Sequence, residues 1–360
     1  MQVVVKPTFH QSFGGINFLE ADFARLDFGS LITSHLGSRS VKAVYSYADV
    51  LKHLNYMFSI GGDVLDDLNV LKNQLQDHPT LNICSPDTFE YVSNQLKTAT
   101  IENKTDKGVT HQINQHDGFN KLLPAISLPG GTVNKKDDYT LDYDGHIVEN
   151  TKADNACNYK MTESYYPVLC SINKLPVYMQ NRNGNTPESY GQLAIIKSAI
   201  GECTNPGINV TKFRADACCY QRATIEHLES KRLQYYIRAE MNAGLRIALE
   251  DETNWHAGFL NNRKVALCSI NGKIPGSETE RRIVAYRYKA GGQMTIDQTN
   301  DFRYYAIVTN DQSGEQECIA FYNQCGCQGN ITARMIYHKP VFINQLKMGK
   351  LNALFNNFNF

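Results

Sequence analysis

The reading of this chain turns on Tyr139-Thr-Leu-Asp-Tyr-Asp-Gly-His-Ile-Val-Glu-Asn-Thr-Lys152. Thr140, Asp142 and Asp144 alternate with Leu141 and Tyr143, the period-two pattern of a strand. Gly145 ends the run. Alternate side chains of a strand point to opposite faces, so Asp142 and Asp144 share one. A carboxylate at a strand end, beside a chain-breaking glycine, is placed to hold a divalent cation. The plainer alternative is an edge strand carrying two solvated acids.

A second acid stands in a similar position. Asn209 to Asp216 reads as a buried strand through Val210 and Phe213, with Asp216 at its carboxyl end, just before a helix. Ligands of open α/β sheets gather at the carboxyl ends of strands. Asp144 and Asp216 can therefore meet across neighbouring strands, as two-metal phosphoryl chemistry requires of its acids. Mg²⁺ takes hard oxygen ligands and keeps several waters, so two or three carboxylates suffice. The competing role for Asp216 is to cap the helix that starts near Gln221, although it lies a few residues early for that.

Around these acids the chain divides by pattern. Residues 1–110 read as a helical DNA-binding or dimerisation domain. Ser46 with Asp49 looks like a helix cap, Gly61-Gly62 a stop, Asp63 a second cap, and Ser85-Pro86-Asp87 a third start. Residues 1–100 carry seven Lys/Arg against ten Asp/Glu, which leaves a DNA-reading helix-turn-helix and a plain helical bundle equally open. Polar residues 111–137 read as a linker. Residues 138–243 alternate strands (139–144, 167–172, 175–179, 209–216, 235–237) with helices (186–200, 221–230), a mixed α/β layer. Residues 244–302 read as a β insertion, locally basic with Arg281, Arg282, Arg287 and Lys289. Residues 303–337 return to the core with a strand at 304–308 and a helix from Gln316. Residues 338–360 show no clear pattern.

Composition excludes some classes. The 360 residues are 42% hydrophobic and 20% charged, with zero formal net charge, ordinary for a soluble globular protein. No apolar run reaches the ~20 residues that span a bilayer, and the N-terminus lacks the pattern of a signal peptide. The ten cysteines form no Cys-x-x-Cys pair and read as reduced thiols of a cytoplasmic protein.

The chain resembles the DDE-type transposases of the IS4 superfamily, closest to the IS1380 group. The resemblance rests on His10-Gln-Ser-Phe-Gly-Gly-Ile-Asn, Tyr45-Ser-Tyr-Ala-Asp, Gly61-Gly-Asp-Val-Leu-Asp-Asp, Cys84-Ser-Pro-Asp-Thr, Leu141-Asp-Tyr-Asp-Gly, Phe213-Arg-Ala-Asp and Phe321-Tyr-Asn-Gln-Cys-Gly, in that order over residues 8–330. It implies an RNase H-like mixed sheet with flanking helices and a β insertion, acting on double-stranded DNA of element ends and target with Mg²⁺ or Mn²⁺. It also implies a bacterial, nucleoid-associated location and a possible homodimer. Asp144 matches the first catalytic acid, with Asp142 as runner-up, and Asp216 the second. Arg281, Arg282, Arg287, Lys289 and Tyr322 fall where DNA contacts are expected. Trp255 could stack on a flipped base or pack in the core.

The third family acid belongs to Tyr-Asn-Gln-Arg-Gly-x-x-Glu. Here that stretch is Tyr322-Asn-Gln-Cys-Gly-Cys-Gln-Gly329, and no Asp or Glu follows Glu317. The expectation is thus a catalytically defective, C-terminally degenerate or truncated copy. The alternatives are a non-catalytic DNA-binding protein derived from a transposase, or an RNase H-like nuclease whose third acid is Glu149 or Glu280.

Overall fold

The computed structural model describes residues 13–151, 153–260, 262–289 and 302–324. The chain starts with five helices: α1 (Ile16–Arg25), α2 (Phe28–Leu36), α3 (Tyr47–Ser59), α4 (Asp67–Gln74) and α5 (Pro86–Gln95). Capping chemistry sets the entry of α3. The Ser46 hydroxyl accepts from the Asp49 amide while the Asp49 carboxylate accepts from the Ser46 amide. Ser85 caps α5 by accepting from the Thr88 amide, with Pro86 in the first turn. Asp63 does not cap α4. The Asp67 carboxylate instead gathers the amides of Asp63 and Val64, so the helix starts three residues later than its pattern suggests.

The stretch 111–137 is not a linker. It holds most of β2 (Thr110–Asn114), which pairs with β1 (Ile101–Lys104), and all of α6 (Asp117–Ser127), whose Phe119, Leu122 and Leu123 are completely buried. Then follow β3 (Asp138–Gly145), the short β4 (Val148–Glu149), β5 (Ala156–Cys157) and β6 (Glu163–Tyr165), and the long β7 (Val168–Ile172) and β8 (Leu175–Arg182). Helix α7 (Gln192–Thr204) leads to β9 (Asn209–Ala215), a 3₁₀ turn at Ala217–Cys219, α8 (Arg222–Ser230) and β10 (Gln234–Arg238). Helix α9 (Ala243–Asp251) opens the region read as purely β. After it come β11 (His256–Leu260), β12 (Arg263–Lys273), β13 (Glu280–Lys289), β14 (Phe302–Thr309) and α10 (Glu315–Asn323).

Eleven strands form one sheet in the order β1-β2-β8-β7-β3-β9-β10-β14-β13-β12-β11. β3, β9 and β10 run parallel; the flanking pairs are antiparallel. The basic strands 263–289 therefore continue the main sheet. This mixed α/β sheet with helices is compatible with an RNase H-like core.

Burial explains how the faces are used. Odd residues of β3 and β9 (Leu141, Tyr143, Phe213, Ala215) enter a core with Ile195, Ile196 and Ala199 of α7, Ile225 and Leu228 of α8, and Leu249 of α9. On the other face, Leu169 and Met179 join the core of the N-terminal helices, while Tyr236, Val284 and Ile307 pack under Cys318 and Ile319 of α10. The even residues of β3 and β9 lie between these two coverings.

Candidate functional site

Parallel pairing of β3 with β9 sets Asp142 opposite Arg214 and Tyr143 opposite Ala215. One further step along both strands brings Asp144 and Asp216 to the same strand end, on the same face. Sheet register alone thus delivers the two predicted acids to one place.

Asp142 is excluded from that role. Its carboxylate is buried and held bidentately by Arg214, at 2.5 Å from Nε and 3.0 Å from Nη2. Arg214 also donates to the carbonyl of Phe321, at 2.7 Å, which ties α10 to the central strands.

Asp216 does act as a cap, but of the 3₁₀ turn: its Oδ1 accepts from the Cys218 amide at 2.9 Å, whereas α8 has no side-chain cap. This bond bends the chain sharply after β9 and places Cys218 beside the acid.

A third carboxylate arrives from an unexpected side. Glu188 sits in the turn between β8 and α7, because α7 begins at Gln192 and not at Thr186. Ligand atoms of Glu188, Asp216 and Cys218 lie within 4.8 Å of one another. The turn is held by Arg182, which is 1% exposed. Its guanidinium donates to the carbonyls of Pro187, Glu188 and Tyr190 at 2.9, 3.3 and 2.7 Å. Tyr143 O–H donates to the Glu188 carbonyl at 2.8 Å, and Tyr166 O–H to the Glu188 carboxylate at 3.0 Å. Gly145 leaves the space: a Cβ there would stand 2.7 Å from Glu188 Cδ.

Burial and mutual repulsion disfavour the charged forms of these acids. Burial, then repulsion from Asp216, pushes the Asp144 carboxyl up to about 6. Burial, then Asp216 and Asp144, pushes Glu188 up to about 7. Closely spaced acids that resist ionising together are the electrostatic mark of a site built for positive charge. Glu188 Oε1 is shielded from solvent, and the carboxylate is engaged by Tyr166 and by the Cys218 thiol. Carboxylate oxygens gathered at one strand end are the hard ligands that Mg²⁺ or Mn²⁺ takes.

The other expected residues separate. Glu149 lies in the small β4-β6-β5 sheet, bonded by Thr162, and Glu280 opposes Lys273 at the start of β13, so neither supplies the third acid. Arg281 is buried against Glu229 and Ser277, and Arg282 spends donors on the carbonyls of Asp311 and Ser313. Both are structural cations. They fall on opposite faces of β13, as strand geometry demands. Arg287 is sandwiched between the rings of Trp255 and Phe302, at 4.2 and 4.5 Å, so Trp255 has the packing role. Lys289 is exposed and lines an open groove of about 890 Å³ with Arg263 and Lys264. Tyr322, in the last turn of α10, lines a cavity of about 180 Å³ with Arg238, Tyr286 and Tyr305. The Cys325-to-Gly329 stretch and the tail 338–360 lie outside the described residues. No described helix is long and apolar enough to cross a membrane.

No family model matches the chain. No curated protein matches it either. Among solved structures, it is similar to a piggyBac transposase seen by cryo-EM in a synaptic complex with hairpin DNA, with a TM-score of 0.42 and 11% identity, over 94% of this chain. The chain spans 65% of that neighbour's length. A likeness this distant leaves the reading of the site to its own geometry.

Proposed function

We propose that the chain is a transposase-type enzyme that cleaves and transfers DNA strands with a divalent cation, Mg²⁺ or Mn²⁺. The observation that carries this reading is the convergence of Asp144, Asp216 and Glu188 at one strand end. DNA as the substrate follows from the ordered motifs that resemble IS4-superfamily transposases. Bound cations would supply Lewis acidity to the attacking and leaving oxygens. The chain's own part is to hold three carboxylates on rigid elements. Asp144 and Asp216 come from adjacent strands and Glu188 from a turn clamped by Arg182, so little reorganisation is needed when the cation arrives. The expectation of a defective copy rested on Gly329. Glu188 offers a third acid by a route that expectation did not include, and the reading adopted is an active enzyme.

The test is nicking of supercoiled and element-end DNA by the full chain. Cleavage is expected with Mg²⁺ or Mn²⁺ and abolished by chelator; metal-independent cleavage, or none with either ion, removes the reading. Cation binding also has a pH signature. Asp144 and Glu188 must lose protons at about 6 and about 7 before they can ligate. Mn²⁺ affinity, followed by calorimetry without DNA, should therefore climb as pH rises through this window, by about tenfold per unit for each proton displaced, and level off above it.

The basic strands make a separate prediction. Lys289→Ala should lower the salt dependence of DNA binding by about one phosphate contact, while Arg281→Met leaves that slope unchanged and costs about 1–3 kcal/mol of stability. Gel shifts across a salt series, beside urea melts, distinguish the two effects. An unchanged stability in Arg281→Met refutes its structural assignment.

A further inference from the structure

We infer that Cys218 converts part of this strand end into a mixed oxygen–sulfur site that takes a thiophilic divalent cation, Zn²⁺ or Cd²⁺, with Glu188 and Asp216 as the companion ligands. The inference rests on the reading of this strand end as a cation site and adds a ligand and an ion class to it.

Three observations support it. The ligand atoms of Glu188, Asp216 and Cys218 already lie within 4.8 Å of one another. Donors around a tetrahedral Zn²⁺ sit roughly 3.5 Å apart, given bonds of about 2.0–2.3 Å, so side-chain adjustments of about an ångström close the set. The Glu188 carboxylate is engaged by Tyr166 and by the Cys218 thiol, so the sulfur and this acid already face one another. Finally, the backbone fixes the sulfur. The 3₁₀ turn capped by Asp216 carries Cys218 beside the acid, and the neighbouring Cys219, completely buried, anchors the turn in the core.

The chemistry balances simply. The Cys218 thiol gives up its proton to solvent as the sulfur–metal bond forms, and no oxidant or reductant is involved. Mg²⁺ has no use for a thiolate, whereas Zn²⁺ and Cd²⁺ gain from one. A thiophilic ion at Glu188 and Asp216 occupies ligands the proposed reaction needs, so it acts as an inhibitor that competes with Mg²⁺.

The experiment is a Cd²⁺ titration of the reduced full chain without DNA, followed by the ultraviolet thiolate-to-metal charge-transfer band. The expected result is a saturable band in the wild type that Cys218→Ser removes. Glu188→Gln should weaken the affinity at least tenfold, and Cys157→Ser, at an exposed cysteine outside the cluster, should leave it unchanged. A band that survives Cys218→Ser overturns the proposal. So does a band whose affinity ignores Glu188→Gln, because a lone thiol or the Cys218–Cys219 pair would then be the binder. The absorbance is read without substrate. Loss of DNA cleavage with the band intact therefore counts against the proposed reaction, and loss of the band with Mg²⁺-dependent cleavage intact counts against the sulfur ligand.

Discussion

Asp144→Asn is expected to lower Mg²⁺-dependent cleavage by at least about a thousandfold while making the metal-free protein more stable. The first effect follows from removing a ligand whose cation would carry the transition-state charge. The second follows from linkage. The folded-state pKa of Asp144 is raised to about 6, so the native protein binds the proton more tightly than the unfolded chain does. Stability from this group is full below the unfolded value near 4 and falls as pH rises through about 6. At pH 7.5 the ionised carboxylate is a net cost, and an amide relieves about 1–3 kcal/mol of it. Melting curves without metal, beside single-turnover cleavage, check both halves. A variant that is inactive and also less stable would mean that Asp144 holds the fold together and is not held under strain by it.

The second large effect lies two residues away and has the opposite sign. Asp142→Ala should destabilise the protein by about 3–5 kcal/mol, because it leaves the Arg214 guanidinium buried without its carboxylate. Asp142→Asn should recover part of the loss, since an amide oxygen can still accept from Nε. Urea denaturation reads both variants. A cost below about 1 kcal/mol for Asp142→Ala would show that the pair is not the strut between β3, β9 and α10 described above. Two acids on one face of one strand are thus separated by opposite responses: one stabilises the native state, the other is held in it against repulsion.

The parts legible in the sequence were those written in local chemistry or in simple periodicity. Ser46-x-x-Asp49 and Ser85-Pro86 specify their helix starts through bonds made within four residues. Asp144 and Asp216 were legible because period-two alternation places them, and parallel pairing then brings strand ends together. Glu188 was hidden by the same reasoning. The apolar spacing of Tyr190, Leu193, Ile196 and Ile200 extends backward to Thr186 and makes Glu188 look like an ordinary acid in a first helical turn. What prevents that turn is Arg182, whose claim on three carbonyls is tertiary and leaves no local trace. The supposed linker failed for a related reason. Gln112 and Asn114 are polar but sit in a strand whose partner, β8, is some seventy residues away. Arg281 and Arg282 illustrate the converse: clustered charge drew attention, and the structure spends that charge internally.

The continuity of the eleven-stranded sheet has a metric consequence. From β9, whose end is followed directly by Asp216, to the edge strand β11 the sheet takes five strand steps, through β10, β14, β13 and β12. At about 4.8 Å per step the edge stands roughly 24 Å from the acids. That distance corresponds to about seven base pairs of a DNA duplex at 3.4 Å each. Because the steps are backbone ladders, the interval does not flex as a tethered domain would. Under the proposed function, the sheet works as a ruler: a duplex gripped beside β11 meets the carboxylates at a set distance from the grip.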